Sequence, residues 1–260
     1  MGKKVLSAVI CVLACASVAI ADERELLNIK TPSALDPGES DFLIVHRFIG
    51  NVFDQPLENL LGIQLGANVD LAYRHMIADG FELGASYTFF SQELTVGASY
   101  VYAPSSFPLA AQIDAQYFLI GTSSGGVFIA VSAQTNPLFG FLSPTLVVGY
   151  DSYYNRVGFG AGALVTIAGT LSAIIEVFPP FGIGGTAHQA DFGSNPSLAL
   201  GLRLDTAGHN FELVIGNNYQ IGERRLMVGA IPGPAGSGIA GSGFLSSLYL
   251  GFNIHRRFEF

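Results

Sequence analysis

Cysteine, tryptophan and lysine are scarce in this sequence, and their scarcity narrows what the protein can be. Its two cysteines are Cys11 and Cys15, it has no tryptophan, and Lys30 is its last lysine. Beyond Cys15 there is consequently no disulfide framework, no thiol nucleophile and no cysteine metal site. The shortage of lysine also disfavours a soluble β-sandwich, in which the polar face of each strand meets water.

Charged residues are few as well, and most of them are acidic. Only 12% of the residues are charged and 50% are hydrophobic, while 20 Asp and Glu outnumber 12 Lys and Arg. A composition this apolar favours a membrane protein over a soluble domain. The excess of acid argues against nucleic acid as a partner, because nucleic acid selects basic surfaces.

The first residues have the three parts of a secretory leader. Lys3 and Lys4 form a basic start, Val5–Ala16 is an apolar stretch too short to span comfortably, and Ala19-Ile20-Ala21 offers small residues to a signal peptidase. We therefore predict export to a bacterial outer membrane through a Sec-type signal peptide. The predicted organisation is a signal peptide at 1–21, a periplasmic N-terminal segment at 22–40 and an outer-membrane β-barrel at 41–260.

Lipoprotein processing is the alternative for this leader. Val12-Leu13-Ala14 precedes Cys15 as an imperfect lipobox, at which a lipid would be attached to the cysteine. Cleavage after Ala21 would instead leave a chain without cysteine. In that chain 10 Lys and Arg oppose 20 Asp and Glu, because two lysines are lost with the leader.

One uncharged run, Val157–Ile175, is long enough to cross a bilayer as a helix, and it contains Gly158 and Gly162 at the spacing of a helix-dimer motif. Apolar residues and glycines nevertheless alternate with period two in this run, and Gly169-Thr170 interrupts it where a turn would lie. Only helices and closed barrels can satisfy the backbone in lipid. We therefore favour strands and keep a helical bundle as the alternative.

Alternation of apolar and polar side chains is clearest in Ala67–Arg74, where successive residues would point to opposite faces of a strand. The same alternation recurs in Phe81–Phe89, Glu93–Tyr102, Leu109–Tyr117 and Ser197–Asp205. An apolar face outside and a small or polar face inside are typical of transmembrane barrels. We predict an all-β fold, a single-chain antiparallel transmembrane β-barrel of about 12 strands after a cleavable signal peptide.

Clusters of turn residues divide the chain into these strands. The predicted extents are 41–49, 65–75, 80–90, 92–102, 108–119, 126–135, 143–151, 156–166, 170–177, 197–206, 209–219 and 244–260. Counted from a periplasmic start, the three longest connections all face outward, as expected of such barrels; they are 50–64, 178–196 and 220–243. We expect the apolar parts of the last two, Phe178–Ile183 and Ala230–Gly243, to fold into the mouth and partly occlude it.

The final segment alternates up to its last residue. Its apolar face carries Leu248, Leu250, Phe252, Ile254, Phe258 and Phe260. A terminal phenylalanine after such alternation resembles the signal by which outer-membrane barrels are recognised for assembly, so we predict that Phe258 and Phe260 form this signal. The same strand is expected to pair with Phe42–Ile49 and close the barrel. The predicted partners are the barrel-assembly machinery and outer-membrane lipid.

Short motifs near the two ends of the predicted barrel occur in a recognisable order. They are His46-Arg47-Phe48, Leu60-Leu61-Gly62, Ala67-Asn68-Val69, Asn210-Phe211-Glu212-Leu213, Asn217-Asn218 and Gly251-Phe252-Asn253-Ile254 followed by Arg256. In this order they resemble an uncharacterised membrane-bound β-barrel domain family of bacterial outer membranes, with departures at Ile49 and after Tyr219. The resemblance implies an outer-membrane barrel of unknown function and supplies no catalytic residues.

Ionisable residues recur on the predicted inner face of the barrel. They are His46, Asp70, Arg74, Glu82, Glu93, Asp114, Glu176, Arg203, Asp205, Glu212, His255 and Arg257. Buried charges need partners, so one interpretation is a salt-bridged interior that stabilises a narrow barrel. The other is a selective polar path for a small solute. We also expect His46 and His255 to lie close together, because the first and last strands pair.

Motifs of known enzymes are weak in this sequence. The metalloprotease pattern HExxH does not occur, and no catalytic residue, metal site or cofactor is predicted. His188, Asp191 and Ser194, in one external loop, are the best set for an enzyme at the rim.

Three hypotheses follow: a narrow pore or transporter for small solutes without enzymatic activity, a structural or partner-binding barrel that uses its long external loops, and a rim-located lipid-modifying enzyme.

Overall fold

The computed structural model describes residues 25–33, 35–104, 106–185, 188, 192–231 and 247–259. The strands are β1 (Glu39–Phe48), β2 (Ala67–Ala78), β3 (Phe81–Thr88), β4 (Glu93–Tyr102), β5 (Leu109–Ile120), β6 (Ser124–Thr135), β7 (Leu142–Asp151), β8 (Arg156–Ala168), β9 (Leu171–Phe178), β10 (Ile183–Gly184), β11 (Ser197–Thr206), β12 (His209–Gly216) and β13 (Tyr249–Glu259). A 3-10 helix spans Leu60–Leu65 and helix α1 spans Glu223–Leu226. The predicted signal peptide and Phe260 lie outside the described residues.

Twelve of these strands close into an antiparallel barrel. Neighbours along the chain pair with each other, except that β9 pairs with β11 because the two-residue β10 lies outside the ring beside the start of β8. β1 pairs with β13, from Glu39 opposite Glu259 to Arg47 opposite Gly251. The predicted all-β barrel is therefore confirmed, and the last strand closes it against the first as expected.

The longest connections of the barrel all lie at one of its two ends. β1 starts and β13 ends at one end, which we call the short-turn end because it holds the turns at 79–80, 169–170 and 207–208. The opposite end, the long-loop end, holds the connections 49–66, 179–196 and 217–248. The three longest connections thus share one end, as the strand count predicted.

The outer face of the barrel is apolar and the inner face carries the charges. In β3, for example, Leu83 is 42% exposed while its neighbour Glu82 is only 7% exposed. Other exposed apolar side chains on the outer face are Val96, Ile113, Leu146, Leu202 and Leu213. A soluble protein has the reverse distribution, since buried charges are rare and large apolar side chains are usually inside. The surface is that of a barrel in contact with lipid.

The uncharged run Val157–Ile175, for which a helix was the alternative, forms β8 and the start of β9. A turn at Gly169-Thr170 separates the two strands, and Gly169 has a φ of 49°, a conformation that glycine adopts without steric cost. The helical-bundle alternative is wrong. In the described part of the chain, no helix is long and apolar enough to cross a membrane.

Candidate functional site in the barrel lumen

Residues 25–31 precede β1 and lie inside the barrel, where we call them the N-terminal plug. A β-bridge between its two ends bends this segment into a hairpin. Its apolar side chains, Leu26, Leu27 and Ile29, are fully buried. The sequence predicted a periplasmic segment at residues 22–40; in the structure, residues 25–31 of this segment lie in the lumen. The physical reason is that these three side chains find an apolar patch on the inner wall.

Glu176, on the inner face of β9, binds the tip of the N-terminal plug. Its Oε1 accepts hydrogen bonds from the backbone N–H groups of Leu27, Asn28 and Ile29, each at 2.8 Å. Its Oε2 accepts a fourth hydrogen bond from the side-chain amide of Asn28, also at 2.8 Å. Successive N–H groups that converge on one carboxylate form an anion-binding nest. The plug is therefore fixed to the wall by its backbone as well as by its side chains.

The carbonyl groups at the start of the plug bind to arginine. Arg203, on β11, donates hydrogen bonds to the carbonyl oxygens of Glu25 and Leu26 and forms an ion pair of 2.6 Å with Glu212. The side chain of Glu25 forms an ion pair of 3.2 Å with Arg74 on β2. Because these contacts come from β2 and β11, they bridge the width of the lumen.

A second polar group, on β1 and β13, binds the middle of the plug. Arg47 and Asn253 donate hydrogen bonds to the carbonyl oxygen of Leu27 at 3.3 and 3.0 Å. Arg47 also donates to the side-chain oxygen of Asn253 at 2.7 Å, and Asn253 donates to Glu212 at 2.5 Å. Buried peptide groups need such partners, and the wall supplies them where a soluble protein would use its own sheet.

Residues 219–230, after β12, enter the lumen from the long-loop end, and we call them the loop plug. Arg224, on helix α1, forms ion pairs with Glu93 on β4 and with Asp151 on β7, the latter at 3.0 Å. Arg225 forms an ion pair of 2.8 Å with the same carboxylate of Glu93. The loop plug is thus held by charges on two separate strands of the wall.

The two plugs meet inside the barrel. The backbone N–H of Lys30 donates a hydrogen bond of 2.7 Å to Oε1 of Glu223, and the ammonium of Lys30 forms an ion pair of 3.0 Å with Asp114. Burial raises the pKa of Glu223 to about 8, with Asp114 and Glu25 adding to the rise and Lys30 opposing it. A neutral carboxyl is therefore favoured where the plugs touch.

One side of the lumen is a hydrophobic core shared by the wall and both plugs. The buried cluster comprises Leu26, Leu27, Ile29, Phe118, Phe128, Ala130, Val147, Leu164, Ile174, Phe178, Val214, Leu226 and Met227. Its wall residues come mainly from β5 to β9. The sequence predicted an inner face of small, polar or charged residues, so this apolar side differs from the prediction, and the plugs account for the difference.

Glycines on the inner wall make room for the plugs. A Cβ atom at Gly158 would lie 2.6 Å from Cβ of Met227 in the loop plug, and one at Gly201 would lie 2.5 Å from Cδ2 of Leu27 in the N-terminal plug. Both distances are far below van der Waals contact between carbon atoms. The glycines that alternate along β8 therefore face inward; plug side chains fill the space at Gly158 and Gly162, and Phe178 of β9 fills it at Gly160.

A cavity of about 130 Å³ remains on the other side of the lumen, between the plugs and the wall of β2 to β5. Its wall is made of small and polar residues together with ionisable ones. The acidic lining residues are Glu25, Asp70, Glu82, Glu93, Asp114 and Glu223, and the basic ones are Lys30, Arg74, Arg224 and Arg225. The lumen is therefore closed on its apolar side and retains water-sized space on its charged side.

Of the twelve ionisable residues predicted to line the lumen, the structure places all but His46 on inward faces. Buried inside are Asp70, Arg74, Glu82, Glu93, Asp114, Glu176, Arg203, Asp205, Glu212 and His255, and Arg257 is half-buried on the same face of β13. The structure brings several of them together through the plugs, as with Glu176 and Arg203. Asp70 instead accepts a hydrogen bond of 2.6 Å from Thr88 on the neighbouring strand.

His46 is the exception, and its predicted inward position is wrong. It pairs with Phe252 across the closing seam, and the two rings stack on the outer face with their centroids 4.6 Å apart. His255 pairs with Leu43 and points inward, so the two histidines do not meet. The reason is that β1 is apolar on both faces in its middle, so alternation alone could not decide which face is inside. Arg47 takes the inward place instead.

External loops were expected to occlude the mouth of the barrel. In the structure, a different part of these loops does so. Residues 219–230 fill the lumen, while 232–246, most of the stretch expected to do so, lie outside the described residues. From the other loop, Phe178 is buried in the shared core, but Phe181 and Ile183 are 67% and 68% exposed. Phe258 lies on the outer face near Tyr73, and its role in assembly stays a prediction.

The contacts that hold the plugs include several residues that sequence reasoning missed: Glu25, Lys30, Arg47, Asp151, Glu223, Arg224, Arg225 and Asn253. Some of them carry a signal in the sequence. Glu223-Arg224-Arg225 is the one charged run in the stretch 217–248, which is otherwise free of charge. Lys30 is the last lysine in the chain. Arg47 pairs with Gly251, which belongs to the face of the last strand opposite its apolar residues. The register of this pair therefore places Arg47 on the inner face.

The structure adds little to the hypothesis of an enzyme at the rim. The ring of His188 stacks on Tyr153 with centroids 3.9 Å apart, Ser194 is exposed, and Asp191 is outside the described residues. Gly121–Gly125 has the GxSxG spacing, but it forms the turn between β5 and β6 rather than the strand-to-helix elbow of a hydrolase. Within the described ranges there is no cluster of three or more His, Cys, Asp or Glu suited to a metal ion.

Comparison with protein families gives one match. A family described as "Membrane bound beta barrel domain (DUF5777)" matches residues 129–258, which is half of the chain. This match runs from the middle of β6 to β13 and agrees with the resemblance found in the sequence motifs. A comparison with curated proteins found no match.

Solved structures with a similar fold include outer-membrane porins and channels. The KdgM porin has a TM-score of 0.52 and 13% identity, over 85% of this chain and 99% of that one. The NanC porin has a TM-score of 0.50 and 7% identity, over 85% and 100%. An outer membrane channel from Pseudomonas putida F1 has a TM-score of 0.50 and 11% identity, over 86% and 97%. Identities this low indicate a shared fold.

Proposed function

The chain belongs to the membrane-bound β-barrel domain family DUF5777, and from this premise we propose that it is an outer-membrane channel for small solutes that its two plugs hold closed at rest. The observation that carries the proposal is the cavity of about 130 Å³ that lies between the plugs and the charged wall. A barrel with a purely structural role would gain stability by filling this space with apolar side chains.

The way in which the loop plug is held also supports a closed channel. Its helix α1 has only four residues, so it has little stability of its own and depends on the wall. Arg224 and Arg225 connect it to Glu93 and Asp151, which stay on the wall when the loop moves. Ion pairs of this kind have two states, since a competing ion or water can replace the partner. The same helix therefore closes the path and can be released from it.

Replacement of both arginines tests the proposal. In planar bilayers, refolded residues 22–260 with Arg224→Ala and Arg225→Ala should show larger and more frequent channel openings than the unmodified chain. Arg256→Ala is the matched control, because Arg256 is exposed on the outer face at the short-turn end and should leave conductance unchanged. A double variant that folds, as shown by its altered gel mobility before heating, yet conducts no more than the unmodified chain would refute the proposal.

A second candidate function, binding of a partner by the long loops, is favoured by one observation. Large apolar side chains are exposed on two of these loops at the long-loop end, with Leu57 at 89%, Phe181 at 67% and Ile183 at 68%. Exposed apolar groups on a polar rim are typical of interaction surfaces. Leu57→Ser with Phe181→Ser should abolish binding of a partner to whole cells and leave conductance unchanged. Retention of the partner by this variant would remove this candidate.

A further inference from the structure

The cations that hold the loop plug belong to the plug, whereas the groups that bind them belong to the wall. Arg224 contributes its guanidinium from helix α1, and it lies between the carboxylates of Glu93 on β4 and Asp151 on β7. Its Cζ also lies 3.8 Å from the centroid of the Phe118 ring on β5. Two carboxylates and an aromatic face are the groups that recognise an organic cation.

The wall site remains complete when the plug leaves it. Glu93, Asp151 and Phe118 are all in strands of the barrel, and each is at least nine-tenths buried while Arg224 covers it. Glu93 is the first residue of β4 and Asp151 the last of β7, so the site lies at the long-loop end. A solute that arrives from that side would meet it first.

The charge balance of the strands points the same way. Buried ionisable residues of the strands include nine carboxylates and three arginines; the carboxylates are Asp41, Asp70, Glu82, Glu93, Asp114, Asp151, Glu176, Asp205 and Glu212, and the arginines are Arg47, Arg74 and Arg203. Half-buried Arg156 and Arg257 add two further positive charges, so the strands keep an excess of carboxylates. The plugs offset part of this excess, because their three cations, Lys30, Arg224 and Arg225, outnumber their two buried carboxylates. Those carboxylates are Glu25 and Glu223.

We propose that the channel takes small organic cations with a guanidinium or ammonium group, and that Arg224 occupies, in the closed state, the wall site of Glu93, Asp151 and Phe118 where such a solute binds. This inference rests on the proposed channel function and names its substrate class. Arg225 and Lys30 lie against acidic residues of the same wall, Glu93 and Asp114. Further along the wall, Asp70 and Glu82 face the cavity and continue the acidic path.

The first arm of the test measures ion selectivity. The open variant with Arg224→Ala and Arg225→Ala is placed in a bilayer with a gradient of KCl, and the reversal potential gives the permeability ratio. We expect K⁺ to permeate at least about threefold better than Cl⁻. Addition of Asp70→Asn and Glu82→Gln should lower the ratio, whereas Glu58→Gln, at an exposed loop position, should not change it. A preference for Cl⁻ in the open variant would overturn the inference.

The second arm measures binding without conduction. Agmatine, which carries a guanidinium and an ammonium group, should bind to the detergent-solubilised open variant in a calorimeter and bind far more weakly to the unmodified chain. Addition of Glu93→Gln should abolish the signal, Glu58→Gln should preserve it, and the dianion glutarate should give none. Absence of agmatine binding to a folded open variant would overturn the inference. Binding to a variant that never conducts would instead support the cation site and refute the proposed channel, so the two failures are distinguishable.

Discussion

The two sides of the lumen differ in chemistry although the same two plugs touch both. On the side of β5 to β9, the plugs pack by apolar contact into a core from which water is excluded. On the side of β2 to β5, they make ion pairs and leave a cavity of about 130 Å³. Apolar packing is dense and stabilises in proportion to the area buried. Ion pairs keep their partners at fixed distances and repay little of the desolvation they require.

This difference indicates separate roles for the two sides. The apolar side accounts for most of the buried apolar contact of the plugs. Under the proposed channel function, the charged side would determine what passes when they loosen. If so, substitutions on the apolar side should change stability more than those on the charged side.

Truncation on the apolar side should have the largest effect. Leu27→Ala removes a fully buried side chain of the N-terminal plug and leaves a cavity, which should lower the free energy of unfolding by about 3 kcal/mol. Urea unfolding of the refolded barrel in detergent, followed by gel mobility, measures the change. Leu57→Ala is the matched control, because this leucine is 89% exposed and its truncation should have little effect. Equal losses in the two variants would contradict the role of the plug core.

Removal of a cation on the charged side should cost less. Lys30→Met leaves Asp114 without its ion-pair partner, but the side chain of Lys30 is 24% exposed, so water reaches the pair. We expect a loss of about 1 kcal/mol in the same urea experiment, after allowance for solvent screening. A loss as large as that of Leu27→Ala would show that the charged side holds the plugs equally, and the proposed division of roles would fail.

A change of pH should have the smallest and most gradual effect, through Glu223. Its ordinary pKa is 4.5 and burial between the plugs raises it to about 8. The stability that Glu223 gives to the closed state is thus fully present below pH 4.5. It decreases as the pH rises toward 8, and it does not change further above pH 8. Lys30, Asp114 and Glu25 face this carboxyl and would repel or attract its charged form.

Bilayer recordings between pH 5 and pH 9, a range set by the ordinary and raised pKa of a glutamate, measure this dependence. The frequency of opening should increase with pH in the unmodified chain. Glu223→Gln cannot ionise, so its opening frequency should be nearly independent of pH. An unchanged pH profile in this variant would assign the dependence to another group.

The barrel itself could be predicted from the sequence because period-two alternation is a local signal. In segments such as Ala67–Arg74, the alternation predicts both that a strand forms and which of its faces is inside. The order of the turns then predicts the topology. The prediction failed at His46 because Phe42–Val45 is apolar on both faces, so local pattern carries no information about which face is inside. Only the pairing with β13 settles it.

The plugs could not be predicted in the same way, because they depend on contacts between residues far apart in the chain. Glu176 binds backbone groups of residues about 150 positions earlier, and no local pattern links them. The glycines of β8 and β11 were visible as a pattern, but their meaning appears only when Met227 and Leu27 are seen in the space they leave. The charged run at Glu223–Arg225 was the best available clue.

Cross-linking of the N-terminal plug to the wall tests the central claim most directly. Residues 22–260 contain no cysteine, so any disulfide that forms must join the two engineered cysteines. Leu27→Cys with Gly201→Cys brings two Cβ atoms within about 5 Å, near the range of a disulfide. Leu27→Cys with Gly158→Cys is the control, since Gly158 faces Met227 in the loop plug instead. We predict that the first pair forms a disulfide in membranes from intact cells and the second does not. Failure of the first pair to cross-link in a folded barrel would contradict a lumen filled by the N-terminal plug.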